Sequence, residues 1–249
     1  LPVRLSGRTR VATVDELDGL WQPGVRTRMD ARLGNVVLYG ANLDTLSARP
    51  GERLYLTLYW WASQEGLPDY KVELALGDRV LTQDRPVHGT YGFAEWTAGE
   101  VVVDRYNPRL PRDTAPGDYP LLLRLWDPEA GSAPALTVEL GRVSVQPIAR
   151  SFDVPPIAQP LQANLGGQVE LLGYELGPAS ATAGGGLALT LYWRALVEMD
   201  TDYTVFVHLV GPDGAMAGQR DAYPVGGTYP TSLWLPGEVV VDAYQVPVR

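Results

Sequence analysis

Carboxylates at matched positions are the residues of this sequence best placed to do chemistry. Glu100 and Asp104 lie in the segment Gly99-Glu100-Val101-Val102-Val103-Asp104, and Glu238 and Asp242 lie in its copy, Gly237-Glu238-Val239-Val240-Val241-Asp242. Side chains at even spacing on a strand share a face, so each segment can present its two carboxylates together. Such pairs serve general acid–base catalysis or give oxygen ligands to Ca²⁺. Their presence in both segments favours a fold role, in which the aspartate accepts backbone N–H groups where a strand begins. Asp200 and Asp202, in a loop leading into a strand, form a second calcium candidate. We therefore expect no metal and no other cofactor. Asp200, Asp202, Glu238 and Asp242 are the residues that measured calcium binding would bring back.

The other reactive types offer less. His88 and His208 are the only histidines, one in a loop and one inside a strand pattern, and neither has a visible partner constellation for a metal or a triad. There is no cysteine, so disulfides and thiolate chemistry are excluded. Gly184-Gly185-Gly186 lacks the Lys-Ser/Thr ending of a phosphate loop and reads as a turn. Nothing supplies a nucleophile with its base, so no catalytic residue is assigned and the chain is read as a non-enzyme. Tyr55, Tyr59 and Trp61 alternate along one strand face, where they could stack on sugar rings or pack against another domain or subunit. Packing is the favoured reading.

The elements that must position these residues are read from an internal repeat. Leu56-Thr57-Leu58-Tyr59-Trp60 recurs 133 residues later as Leu189-Thr190-Leu191-Tyr192-Trp193, with Asp69-Tyr70 recurring as Asp202-Tyr203. The carboxylate segments recur at an offset of 138, as do Thr90-Tyr91 and Trp96 in Thr228-Tyr229 and Trp234. The extra residues fall around the turn sequence Gly211-Pro212-Asp213-Gly214. Leu54, Leu56, Leu58 and Trp60 share one strand face, matched by Leu187, Leu189, Leu191 and Trp193, and this face is the expected core. About seven short strands per copy, with turn signals between them, predict an all-β chain of two tandem immunoglobulin-like antiparallel β-sandwiches, with jelly-roll sandwiches as the alternative.

The expected boundaries are residues 1–14 as closing strands of a preceding or permuted repeat, 15–32 as a linker and 33–146 as the first sandwich. A Pro-rich linker over 147–164 and a second sandwich over 165–249, incomplete at its C-terminal side, follow. Ala12 to Leu20 is a candidate for one turn of helix. The segments Gly117 to Asp127 and Leu136 to Val143 have no second copy, while Leu1 to Arg8 resembles the latter. Two readings follow: a piece of a longer array, or an N-terminal strand donated to an unfinished sandwich in this chain or a neighbour.

A net charge of −9 with Lys71 as the sole lysine disfavours nucleic acid, whose phosphates need a basic surface. No apolar run reaches the roughly 20 residues that span a membrane as a helix. Without a leader pattern or an initial Met, the sequence reads as a mature fragment or an excised ectodomain.

The segments Phe152 to Pro156, Gly166 to Leu176, Leu189 to Arg194, Asp202 to Leu209 and Gly227 to Asp242 together carry a resemblance. They resemble β-sandwich domains at the extracytoplasmic ends of membrane proteins of Chloroflexi-type bacteria, whose parents are similar to dolichyl-phosphate-mannose or aminoarabinose-type glycosyltransferases. The resemblance covers nearly all of the second copy and, more thinly, the first. It implies an extracytoplasmic place at a cell surface or on a membrane-anchored ectodomain. Any transferase chemistry would lie in a membrane part that this chain lacks. The expected function is a non-catalytic structural, scaffold or interaction module with a protein, domain or subunit partner. The alternatives are a carbohydrate-binding module and a self-assembling surface-layer or filament subunit.

Overall fold

The computed structural model describes residues 25–129, 132–177 and 184–248, and within them the chain is all-β. It divides into two compact units, Leu1–Pro147 and Ile148–Arg249. The segments expected at 1–14 and at Ala12 to Leu20 lie outside the described residues.

In the first unit nine strands are described: β1 (Thr27–Leu33), β2 (Val36–Leu43), β3 (Ser47–Ala48), β4 (Leu56–Ala62), β5 (Lys71–Leu76), β6 (Arg79–Asp84), β7 (Val101–Tyr106), β8 (Gly117–Trp126) and β9 (Leu136–Val145). One sheet has the order β1-β2-β4-β7 and the other β3-β9-β8-β5-β6. All neighbours are antiparallel except the short β3, which crosses to the second sheet and runs parallel to β9. With β2, β4, β5, β6, β7, β8 and β9 lettered A, B, C, C′, E, F and G, the sheets read A-B-E and G-F-C-C′, an immunoglobulin-like order.

Alternation places the core. Leu56, Leu58 and Trp60 of β4 are no more than 2% exposed, and they face Val72 and Leu74 of β5 and Leu121, Leu123 and Leu125 of β8, all at 1% or less. Each such side chain contributes about 1.5–3 kcal/mol by leaving water. Trp60 also meets Phe93 edge-on at 5.4 Å, and Phe93 packs on Trp96 at 4.3 Å.

The second unit has β10 (Gln159–Leu165), β11 (Val169–Leu176), β12 (Gly186–Ala195), β13 (Val205–Val210), β14 (Met216–Ala222) and β15 (Val239–Pro247). Its four-stranded sheet, β10-β11-β12-β15, repeats β1-β2-β4-β7, and the hairpin β13–β14 repeats β5–β6. Registers agree: Trp60 stands between Leu38 and Val102, and Trp193 between Leu171 and Val240. Both A strands shift register just before a glycine, Gly40 or Gly173. Each glycine lets the lead-in chain lie across the outer sheet face. A Cβ on Gly40 would stand 2.3 Å from Val25 Cγ1, and one on Gly173 would stand 2.6 Å from Ile157 Cγ2.

Two expected linkers are shorter than their sequence suggested. Residues 27–32 of the expected 15–32 linker belong to β1, and 159–164 of the expected 147–164 linker belong to β10. Both strands pair on one side only, with β2 and β11. An edge strand tolerates Pro160 and an irregular pattern, because its outer backbone groups need no ladder partner.

Candidate functional site

The carboxylates singled out from the sequence are brought together with tyrosines and loop amides, once in each unit. Asp104 sits on the inward face of β7 with no solvent exposure. Its Oδ1 accepts the Val87 amide at 2.9 Å and its Oδ2 the Tyr106 hydroxyl at 2.7 Å. Asp242 on β15 is equally buried and accepts the Val225 amide at 2.8 Å and the Tyr244 hydroxyl. Val87 and Val225 have φ of 55° and 52°, a left-handed conformation that costs a residue of order 1–3 kcal/mol. The aspartate holds each loop in that conformation by taking its N–H. The clusters differ at tryptophan: Trp193 Nε1 donates to Asp242 Oδ2 at 3.2 Å, whereas Trp60 Nε1 stands beside Asp104 outside hydrogen-bond geometry.

Burial pushes the Asp104 carboxyl up to about 6, against the opposing pull of the Tyr106 and Val87 hydrogen bonds. Burial likewise raises the Tyr106 and Tyr244 hydroxyls, which therefore act as donors.

Glu100 and Glu238 close a second matched cluster. Tyr91 donates to Glu100 at 2.9 Å and Tyr229 to Glu238 at 2.6 Å, while the amides of Thr97 and Leu235 each donate at 2.9 Å. Trp96 and Trp234 donate to the carbonyls of Tyr91 and Tyr229. In the second unit Arg150 adds a charge, with Nη1 2.6 Å from Glu238, which is 1% exposed. Among the described residues no arginine stands at Glu100 in this way. Glu238, saturated by internal donors and closed to solvent, offers no oxygen to a substrate, whereas Glu100 is partly exposed.

The remaining candidates are dispersed. Asp202 is exposed and accepts the Ser232 amide at 3.1 Å, and Asp200 is exposed nearby. Neither is gathered with Glu238 or Asp242, and no group of three or more acidic, histidine or cysteine side chains suited to a metal forms among the described residues. His88 lies on the loop with Val87, and His208 is half-exposed, 4.0 Å from Asp221. Gly184 turns at φ 84° before β12.

Tyr55, Tyr59 and Trp61 do not form one exposed strip. Tyr59 is buried with its hydroxyl accepting from Asn42, and Trp61 packs half-buried against it with Tyr39, Val101 and Val103. Tyr55 alone is fully at the surface, at 51% exposure.

Two features escaped the sequence reading. Tyr106 and Tyr244 follow each aspartate by two residues, so a shared strand face was the signal for them. Arg150, inside a Pro-rich stretch with no repeat partner described, carried none.

A cavity lies in the second unit. It measures about 430 Å³, is mostly apolar, and is lined by Leu165, Val169, Trp193, Val205 and Trp234 among others. Thr231 stands at its wall where Phe93 fills the first unit, and Tyr203 is 41% exposed where Tyr70 is 8%.

No model of a known protein family matches this chain, and no curated protein matches it either.

Proposed function

We propose that this chain is a non-catalytic structural and interaction module, working outside the cytoplasm as part of a surface or membrane-anchored assembly. One observation carries the non-catalytic reading: the matched aspartates make the same internal hydrogen bonds in both units, Asp104 to Val87 and Tyr106 and Asp242 to Val225 and Tyr244. A catalytic carboxylate needs accessible oxygens, and neither Asp104 nor Asp242 is exposed to solvent. The extracytoplasmic place rests on the resemblance of the second copy to bacterial surface sandwiches. Sugar stacking has less support, since only Tyr55 of its three aromatics is well exposed.

The test is the pair of substitutions Asp104→Asn and Asp242→Asn, assayed for melting and for turnover on ester, glycoside and phosphate substrates. Asp242→Asn should melt at lower temperature near neutral pH, and calcium should leave every melting curve in place. Turnover by the parent chain that either substitution abolished at unchanged melting, or a calcium-dependent rise in melting temperature, would overturn the reading.

A further inference from the structure

We propose that residues 86–90 of the first unit form a latch over its core, closed while Asp104 is protonated and released when Asp104 ionises. The proposal goes beyond the module reading and stands on the fold of the first unit.

The segment is fastened at both ends and strained between them. At its start Arg85 is held by Asp69 at 2.9 Å and by Glu95 at 2.8 Å. At its end the Tyr91 hydroxyl donates to Glu100 at 2.9 Å. Between these anchors Val87 and His88 are both left-handed, with φ of 55° and 54°. That conformation crowds any side chain with a Cβ against its own backbone. In the second unit glycine takes the second of the two positions, where Gly226 follows Val225. The same turn therefore stores more strain in the first unit. Asp104 ties it to β7 by accepting the Val87 amide at 2.9 Å. The bonds from Gly89 to the Arg85 carbonyl and from Thr90 to the Val87 carbonyl are local to the turn. Release uncovers Pro86, which is buried, and the side of Val87 that packs on the core.

The charge beneath the latch has less support than its counterpart. Trp193 Nε1 donates to Asp242, whereas Trp60 Nε1 is buried without a hydrogen bond. The groups facing Asp104 are the Tyr106 hydroxyl on β7, the Val87 amide and His88 imidazole on the latch, and the Trp60 indole on β4. Asp84, at the end of β6, sets a negative charge against Tyr106. Burial outweighs the hydrogen bonds and the His88 charge, so the closed turn keeps the Asp104 proton up to about pH 6. An open turn lets water reach the carboxylate and returns it toward its ordinary 3.8. Ionisation therefore favours the open turn. Its population relative to the closed turn rises by up to about a hundredfold between pH 3.8 and about 6, and is level above that.

The test is amide hydrogen exchange of the whole chain, read by NMR from acid to neutral pH, with each rate divided by the intrinsic rate at that pH. Protection of the Val87 amide should fall by about ten- to a hundredfold up to about pH 6 and then level off. Low denaturant should leave Val87 exchange unchanged while speeding that of Val72 in β5, the mark of a local opening. The carboxyl carbon of Asp104, followed in the same samples, should titrate where the protection levels off. Asp104→Asn should make Val87 protection independent of pH. Constant Val87 protection in the parent chain, or exchange that tracks Val72 in both pH and denaturant, would overturn the proposal. So would an Asp104 titration outside the range in which protection falls, or a pH dependence that survives Asp104→Asn. All but the last are read in the parent chain, so the test holds even where the variant fails to fold.

Discussion

The two units share a framework and differ in closure. Each has the same four-stranded sheet, the same C–C′ hairpin and the same aspartate–tyrosine–loop cluster. The first buries its tryptophan completely beneath a five-stranded sheet, while the second covers its counterpart with a two-stranded one. Fold identity is thus written locally, in strand parity and in the polar cluster. Closure of the core depends on strands F and G, which are described in only one of the units.

Truncating the matched tryptophans should break this comparison most forcefully. Trp60→Ala removes a ring with no exposure from a closed core, and we expect a loss of about 3–5 kcal/mol in the first unit. Trp193→Ala should cost the second unit less, because its surroundings are already open to solvent along β13. Denaturant unfolding followed by probes in each unit would check this. Equal losses would mean that the second core is as closed as the first.

A smaller effect should separate acid from neutral conditions. The folded Asp104 carboxyl holds its proton up to about pH 6, above the ordinary 3.8. The folded state therefore binds more protons than the unfolded state between these values. Its contribution is most favourable below about pH 3.8 and is lost as pH rises through about 6, by about 2–3 kcal/mol. Unfolding of the first unit should show this slope, and Asp104→Asn should flatten it. A slope that survives the substitution would assign the titration elsewhere.

Much of this was readable in the residues themselves. The repeat placed Trp60 and Trp193 on matching faces, and the copied Gly-Glu-Val-Val-Val-Asp segments marked the polar clusters. Repetition also argued for a fold role over chemistry, and in both units the aspartate, Asp104 or Asp242, accepts a loop amide. β1 and β10 read as linkers in the sequence because edge strands bury half a face at most and accept proline, so their pattern is diluted. Tyr59 and Trp61 were placed on an outer face correctly, yet alternation reports only which face a side chain takes. It does not report what then covers that face. Arg150 was invisible because its partner Glu238 is distant in sequence and no periodicity links the two.

Amide hydrogen exchange of β13 set against β5 tests the central claim most directly. If the first unit is closed and the second open, all amides of Lys71 to Leu76 should exchange slowly, while alternate amides from Val205 to Val210 exchange fast. Uniform and equal protection in both strands, in the free monomeric chain, would contradict the account.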